Sequence, residues 1–268
     1  MKKINKYIYF IFFFLFILEE ILALELNGDY MQGGLIFGKI NSTGKVYFDN
    51  KGIPVDQKGN FIFGFKRKHG PNSLLKVVYE SGNIIEKKIN VNIRKYKVQK
   101  INNLEKDKVT PPKSFYDRIK RENIIISKAK NSFYNFPYYK VGFIMPVEGI
   151  ITGVYGSQRI LNGVPKRPHY GIDIANKKGT EIMSPSDGVV VLSENDLYFS
   201  GGTIIISHGM GLTSSLLHLS KIFVKVGEKV RIGQKIGLMG STGRSTGPHL
   251  DWRMEVRGTR VDPQLLIN

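Results

Sequence analysis

Three short stretches of the sequence carry side chains that can bind a metal ion or move a proton. The first is His169-Tyr170-Gly171-Ile172-Asp173. Fully extended, it would hold its two outer side chains about 13 Å apart, too far to share one ion. A helix would bring positions i and i+4 together, but Gly171 between Tyr170 and Ile172 disfavours one. A bend at Gly171, where glycine tolerates unusual dihedrals, restores the pair. The second stretch, His249-Leu250-Asp251-Trp252-Arg253, reads as a strand. Alternation puts His249, Asp251 and Arg253 on one face and Leu250 and Trp252 on the other, so ligands or proton carriers stand two apart on a rigid element. The glycine-rich run from Gly240 to Pro248 lacks the GxxxxGK[ST] pattern and opens no helix, so it reads as a loop that positions the strand. The third stretch is Leu216-Leu217-His218-Leu219-Ser220, whose histidine gains meaning only beside the other two. His208 and His69 read as structural.

These side chains need a frame. From about residue 141 to 268 the chain is strands punctuated by glycine. Val226-Gly227-Glu228-Lys229-Val230 is echoed by Ile232-Gly233-Gln234-Lys235-Ile236, the tight turns of a compact antiparallel β-structure. Residues 24–100 read as short strands parted by turn signals such as Asn27-Gly28, Gly33-Gly34 and Asp49-Asn50-Lys51-Gly52, which predicts a small β-sandwich-like domain. Its last strand shows Ile89, Val91 and Ile93 alternating with polar neighbours. Residues 101–140 read as a linker, with Thr110-Pro111-Pro112 as an N-cap and first turn and a helix over about 111–130. The predicted fold class is mainly β. At the amino terminus Lys2, Lys3 and Lys6 precede an apolar run from Tyr7 to Leu18. As a helix that run rises about 18 Å, short of a bilayer core of roughly 30 Å. Residues 1–23 therefore match a secretory signal, a short uncleaved anchor being the alternative, and the chain is expected to be exported to the periplasm or cell envelope.

The order His169-x-x-x-Asp173, Leu217-His218-Leu219-Ser220, Ser245-Thr246-Gly247-Pro248-His249-Leu250-Asp251 resembles the lysostaphin-type (LytM-like) zinc metallopeptidases. Gly153-Val154-Tyr155-Gly156, Gly188-Val189-Val190 and His208-Gly209-Met210-Gly211 strengthen the likeness, which covers about residues 141–268. It implies a duplicated-hybrid-motif β domain, a zinc ion, and cleavage of peptide cross-links in bacterial peptidoglycan. Carried over by position, His169 and Asp173 would be metal ligands and His218 and His249 the catalytic histidines. The family's third ligand is the second histidine of a His-x-His pair, and here that position is Asp251.

Zinc accepts carboxylate oxygen at about 2.0–2.2 Å, so His169, Asp173 and Asp251 make an acceptable trio. Two carboxylates cancel the ion's formal charge, which should weaken it as a Lewis acid. Arg253, on the predicted face of Asp251, either offsets this by pairing with the carboxylate or holds it off the metal. Arg167, Arg244 and Tyr170 are candidates for gripping substrate carboxylates or amides. The alternative is a catalytically degenerate domain of the same fold that binds wall or regulates another hydrolase.

The chain of 268 residues has no cysteine, which excludes disulfide scaffolds, thiolate zinc sites and thiol catalysis. Its 40 basic and 22 acidic residues give a net charge of +18. Nucleic acid is excluded as a partner by the lack of any zinc finger, helix-turn-helix or RNP pattern together with the export signal. The excess gathers in residues 87–130, with 14 basic and 4 acidic side chains. That stretch is expected to face an anionic envelope surface, while the partner of residues 141–268 is peptidoglycan peptide.

Overall fold

The computed structural model describes residues 23–267, and the export segment expected at the amino terminus lies outside them but for Ala23. Two antiparallel sheets open the fold. One joins Leu24–Gly28, Leu35–Ile40 and Asn60–Gly64; the other joins Lys51–Ile53, Gly44–Phe48, Asn72–Tyr79 and Ile84–Asn90. Ile36, Phe61, Phe63, Leu75 and Val77 fill the space between them. The apolar alternation at the end continues through buried Val91 and stops there, since Ile93 is exposed.

Val98–Ile101, Gln158–Leu161 and Val164–Pro165 form a small separate sheet, and the other remaining strands form one large antiparallel sheet. Its central path runs Lys229–Val230, Gly188–Leu197, Gly201–Gly209, Leu212–Ile222, His249–Val256, Ile172–Ala175 and Ile150–Gly153. Trp252, Leu250, Ile174, Leu216 and Ile206 lie in its core. The mainly β class read from the sequence is therefore the observed one. The two cores meet at Asn60–Gly64. Successive side chains of a strand point to opposite faces, so Phe61 and Phe63 enter the first core while Ile62, with Leu35, enters the second. Arg94 Nη1 to Asp262 Oδ2 at 2.8 Å and Lys140 Nζ to Asn60 Oδ1 at 2.7 Å tie the same junction.

The long helix is Tyr116–Lys130, preceded by a 3-10 turn at Lys113–Phe115. Thr110 does not cap it. The residue before a proline is pushed from helical backbone, and Thr110, before Pro111, is extended at φ −132° and closes the short turn Lys106–Val109. The stretch before it is also structured: Val98–Ile101 pairs in parallel with Gln158–Leu161. Among the described residues no helix is long and apolar enough to cross a membrane.

Candidate metal and catalytic site

The site is built where three strands of the large sheet run side by side. Ile172–Ala175 pairs with His249–Val256 in a register that sets Asp173 opposite Asp251. On the other flank Leu217 stands opposite Asp251, so His218 follows at the same level. The backbone bends at Gly171, and a Cβ there would meet Trp252 O and the Arg253 side chain, so only glycine lets the bend lie this close to the neighbouring strand. The bend carries His169 back over Asp173, with Nε2 and Oδ1 3.1 Å apart.

One ligand atom each from His169, Asp173 and Asp251 lies within 4.8 Å of the other two. All three side chains are buried, at 2%, 5% and 1% exposure. Among the described residues, buried side-chain polar atoms without a hydrogen-bond partner are His169 Nδ1 and Nε2, Asp173 Oδ1 and Ser207 Oγ. Three of these four belong to the cluster. Buried polar atoms are ordinarily satisfied, and two ligands of a tetrahedral ion stand about 3.4 Å apart given bonds near 2.1 Å. The residues fit a metal of the zinc type.

Two arginines hold the carboxylates. Arg253 forks onto Asp251, with Nε 2.9 Å from Oδ1 and Nη2 2.5 Å from Oδ2. Burial would raise the Asp251 carboxyl, but the adjacent Arg253 guanidinium, with His169, holds it well below the usual carboxylate range. Arg159 donates to Asp173 Oδ2, and its own Nε is held by Gln99 Oε1 at 3.2 Å. Burial and the facing Asp251 push Asp173 up, and His169 and Arg159 outweigh them, leaving it lowered. Arg159 escaped the sequence reading because its contact arises from the pairing of Gln158–Leu161 with the distant Val98–Ile101, which no local pattern announces.

The two histidines face each other, ring centroids 4.7 Å apart. His218 has φ +68°, a left-handed backbone rare outside glycine. It sits where the pairing of Gly201–Gly209 with Leu212–Ile222 slips, and such a bulge re-aims a side chain. The loop from Gly240 to Pro248 sets both rings: His218 Nδ1 donates to Thr242 O at 2.7 Å and His249 Nδ1 to Gly247 O at 2.9 Å. Each Nε2 is thereby turned away from the loop, that of His249 lying 3.9 Å from Asp173 Oδ1. Burial pushes His218 down to about 4, against the pull of Asp251. Ser245, 3.2 Å from His249 Nδ1, is a further contact of this loop.

The other named side chains stand farther out. Tyr170 packs 6.2 Å from Tyr155 and lies under the Arg260 guanidinium at 4.7 Å. Arg244 lies 4.7 Å over the Phe199 ring, and burial, followed by repulsion from Arg253 and Arg159, lowers it to about 10. Arg167 is exposed in the segment before His169. His208 is buried, its Nδ1 2.7 Å from Asp187 O and its Nε2 2.7 Å from Ser214 Oγ. His69 pairs with Ser73 Oγ, far along the chain from the cluster.

Comparison with known proteins places residues 167–263 in a match to peptidase family M23. The chain is 49% identical over 106 residues to the peptidoglycan DD-endopeptidase ShyA of Vibrio cholerae, which is 39% of this chain and 24% of that protein. It is 39% identical over 97 residues to the DD-carboxypeptidase/endopeptidase Mpg of Neisseria meningitidis, 36% of this chain and 22% of Mpg. The matched stretch thus spans about a quarter of the length of these relatives. A crystal structure of a Pseudomonas aeruginosa protein assigned to peptidase M23 superposes with a TM-score of 0.66 at 27% identity, covering 89% of this chain and 95% of that one.

Proposed function

We propose, on the premise that the carboxy-terminal part of this chain belongs to peptidase family M23, that the protein is an exported zinc endopeptidase hydrolysing peptide cross-links of bacterial peptidoglycan. The observation that carries this reading is the convergence of His169, Asp173 and Asp251, with their unpartnered buried atoms, on the facing pair His218 and His249. His169, Asp173 and Asp251 would hold the metal, which when bound supplies a Lewis acid that polarises a carbonyl and makes water nucleophilic near neutral pH. His218 suits the base: Thr242 O keeps the proton on Nδ1 and burial keeps the ring neutral, so Nε2 accepts the proton of the attacking water. His249, whose Nδ1 already donates to Gly247 O, would in its doubly protonated form also donate from Nε2 to the carbonyl oxygen as charge develops there. Arg167, Tyr170 and Arg244 hold flanking carboxylates or amides. Export draws on the basic, then apolar, start of the sequence, and residues 87–130 would face an anionic envelope surface.

The reading of a non-cutting, wall-binding domain draws on the Arg253 fork, which engages both Asp251 oxygens. A carboxylate offers about four lone-pair positions, so the fork leaves acceptor capacity for a metal. The full chain should take up zinc and release cross-linked muropeptides from sacculi. No metal uptake and no cleavage at any pH would sink the enzyme reading. His218→Ala and His249→Ala should each lower the rate by about 10²–10⁴ while keeping zinc. Asp251→Ala should lose the metal and Asp251→His keep it; indifference to both contradicts ligation.

A further inference from the structure

We infer that the cleft between the Lys66-Arg67-Lys68 turn and Arg167 is an anion subsite for the free carboxylates of a peptidoglycan stem peptide; this deepens, and rests on, the endopeptidase reading. The cleft encloses about 510 Å³, and Lys66, Arg67, Lys68, Arg167 and Arg260 line it together with Tyr170, with no carboxylate in the lining. It lies beside the metal-capable cluster, because Pro168 and Tyr170, both in its wall, bracket His169 in the chain. On the endopeptidase reading, a peptide whose reacting bond lies at His218 and His249 would reach this cleft by way of His169.

Among the described residues four of the five cations have no acidic partner within ion-pair distance. Among the described residues Lys66, Lys68 and Arg167 form no ion pair. Arg67 is fixed by Gly156 O and by the Tyr96 ring at 4.3 Å, both uncharged partners. Only Arg260 has an acidic neighbour, Glu255 at 3.7 Å, and Lys130 shares that carboxylate at 3.0 Å. Burial lowers the Arg260 guanidinium, and repulsion from Arg253, with that from Arg167, adds to it. Cations that repel across a cleft favour an anion between them, and the planar forks of Arg67, Arg167 and Arg260 suit carboxylate oxygens. The turn Lys66-Arg67-Lys68 follows the strand Asn60–Gly64, so the amino-terminal sandwich supplies three of the five cations in this wall. That gives the sandwich a part in choosing substrate.

The test uses the full chain with His218→Ala, which binds without turning over, and two versions of one cross-linked stem peptide, carboxylates free or amidated. The free form should bind roughly tenfold more tightly, the sum of several half-exposed charge pairs, and the preference should shrink with added salt. Lys66→Gln, Lys68→Gln and Arg167→Gln combined should erase the difference between the two peptides at an unchanged thermal midpoint. If that variant does not fold, the salt dependence in the His218→Ala chain decides alone. Equal binding of the two peptides, or inorganic phosphate displacing neither, overturns the subsite. Cleavage of both peptides at equal rate by the wild-type chain also overturns it while leaving the endopeptidase reading intact; cleavage of neither overturns that reading instead.

Discussion

His208 and His218 are buried to the same degree and burial pushes both down to about 4, yet their partners separate them. Both nitrogens of His208 are used by the protein, Nδ1 by Asp187 O and Nε2 by Ser214 Oγ. For His218 the structure pairs Nδ1 alone. A histidine with both nitrogens engaged is a structural tie; one with Nε2 turned to a metal-capable cluster can move a proton. The tie has a consequence for acid stability. The unfolded chain's His208 takes a proton near pH 6.5, whereas the folded chain resists until about 4. Between these values the unfolded state binds more protons, so stability falls as pH drops through that window. The loss attributable to His208 is on the order of 3 kcal/mol. Urea unfolding of metal-free wild type and His208→Asn at pH 7 and pH 4.5 should show a smaller acid loss in the variant. An equal loss in both would remove His208 from the account.

The strand His249–Val256 does most to assemble the site, since its neighbours on both sides bring chemistry to the level of Asp251. Its alternation was legible in the sequence: His249, Asp251 and Arg253 share the site face, and Leu250 and Trp252 are fully buried on the other. The bend at Gly171 was legible for the same kind of reason, because the pair His169 and Asp173 makes sense only if the chain turns there. The left-handed backbone of His218 was not, because histidine gives no hint of φ +68° and the bulge arises from how two strands slip. Nor were the carbonyls of Thr242 and Gly247, which carry no side-chain signature. The start of the long helix was misplaced because Pro111 and Pro112 suggest a first turn, while the residue before each proline is driven extended. Gly171→Ala tests the close approach. Its Cβ would collide with Trp252 O and Arg253, and forced overpacking costs about 1–3 kcal/mol. Gly52→Ala, where a Cβ meets nothing within 4 Å, is the control. Chemical denaturation should show the first destabilised and the second near neutral, and chelator competition should show metal held more weakly only in the first.

Across the whole molecule the charge and the architecture have to be read together. The stretch 87–130, net +10, is woven into the fold. Lys87 and Lys88 lie on the sheet strand Ile84–Asn90, Arg94 binds Asp262, Val98–Ile101 pairs with Gln158–Leu161, and Arg118 reaches Glu122 and Asp196. Deleting it would remove structural ties with the charge, so loss of binding in a deletion would say nothing about electrostatics. Neutralising exposed side chains separates the two. Lys120, Arg121 and Lys128 are exposed on the helix Tyr116–Lys130, among the exposed apolar Tyr116 and Ile124. That mix of cations and apolar side chains suits an anionic lipid surface, where a basic residue near the surface contributes about 1 kcal/mol. The full chain should therefore bind vesicles containing anionic lipid and not neutral ones, and the binding should weaken as salt shortens the screening length. Lys120→Gln, Arg121→Gln and Lys128→Gln together should reduce vesicle binding by about 100-fold, three such contributions discounted for partial contact. Sacculus cleavage gives the independent readout, because these positions lie away from the cluster. Vesicle binding unchanged by the three substitutions, or equal on neutral and anionic vesicles, would show that the charge of this stretch serves solubility and not docking.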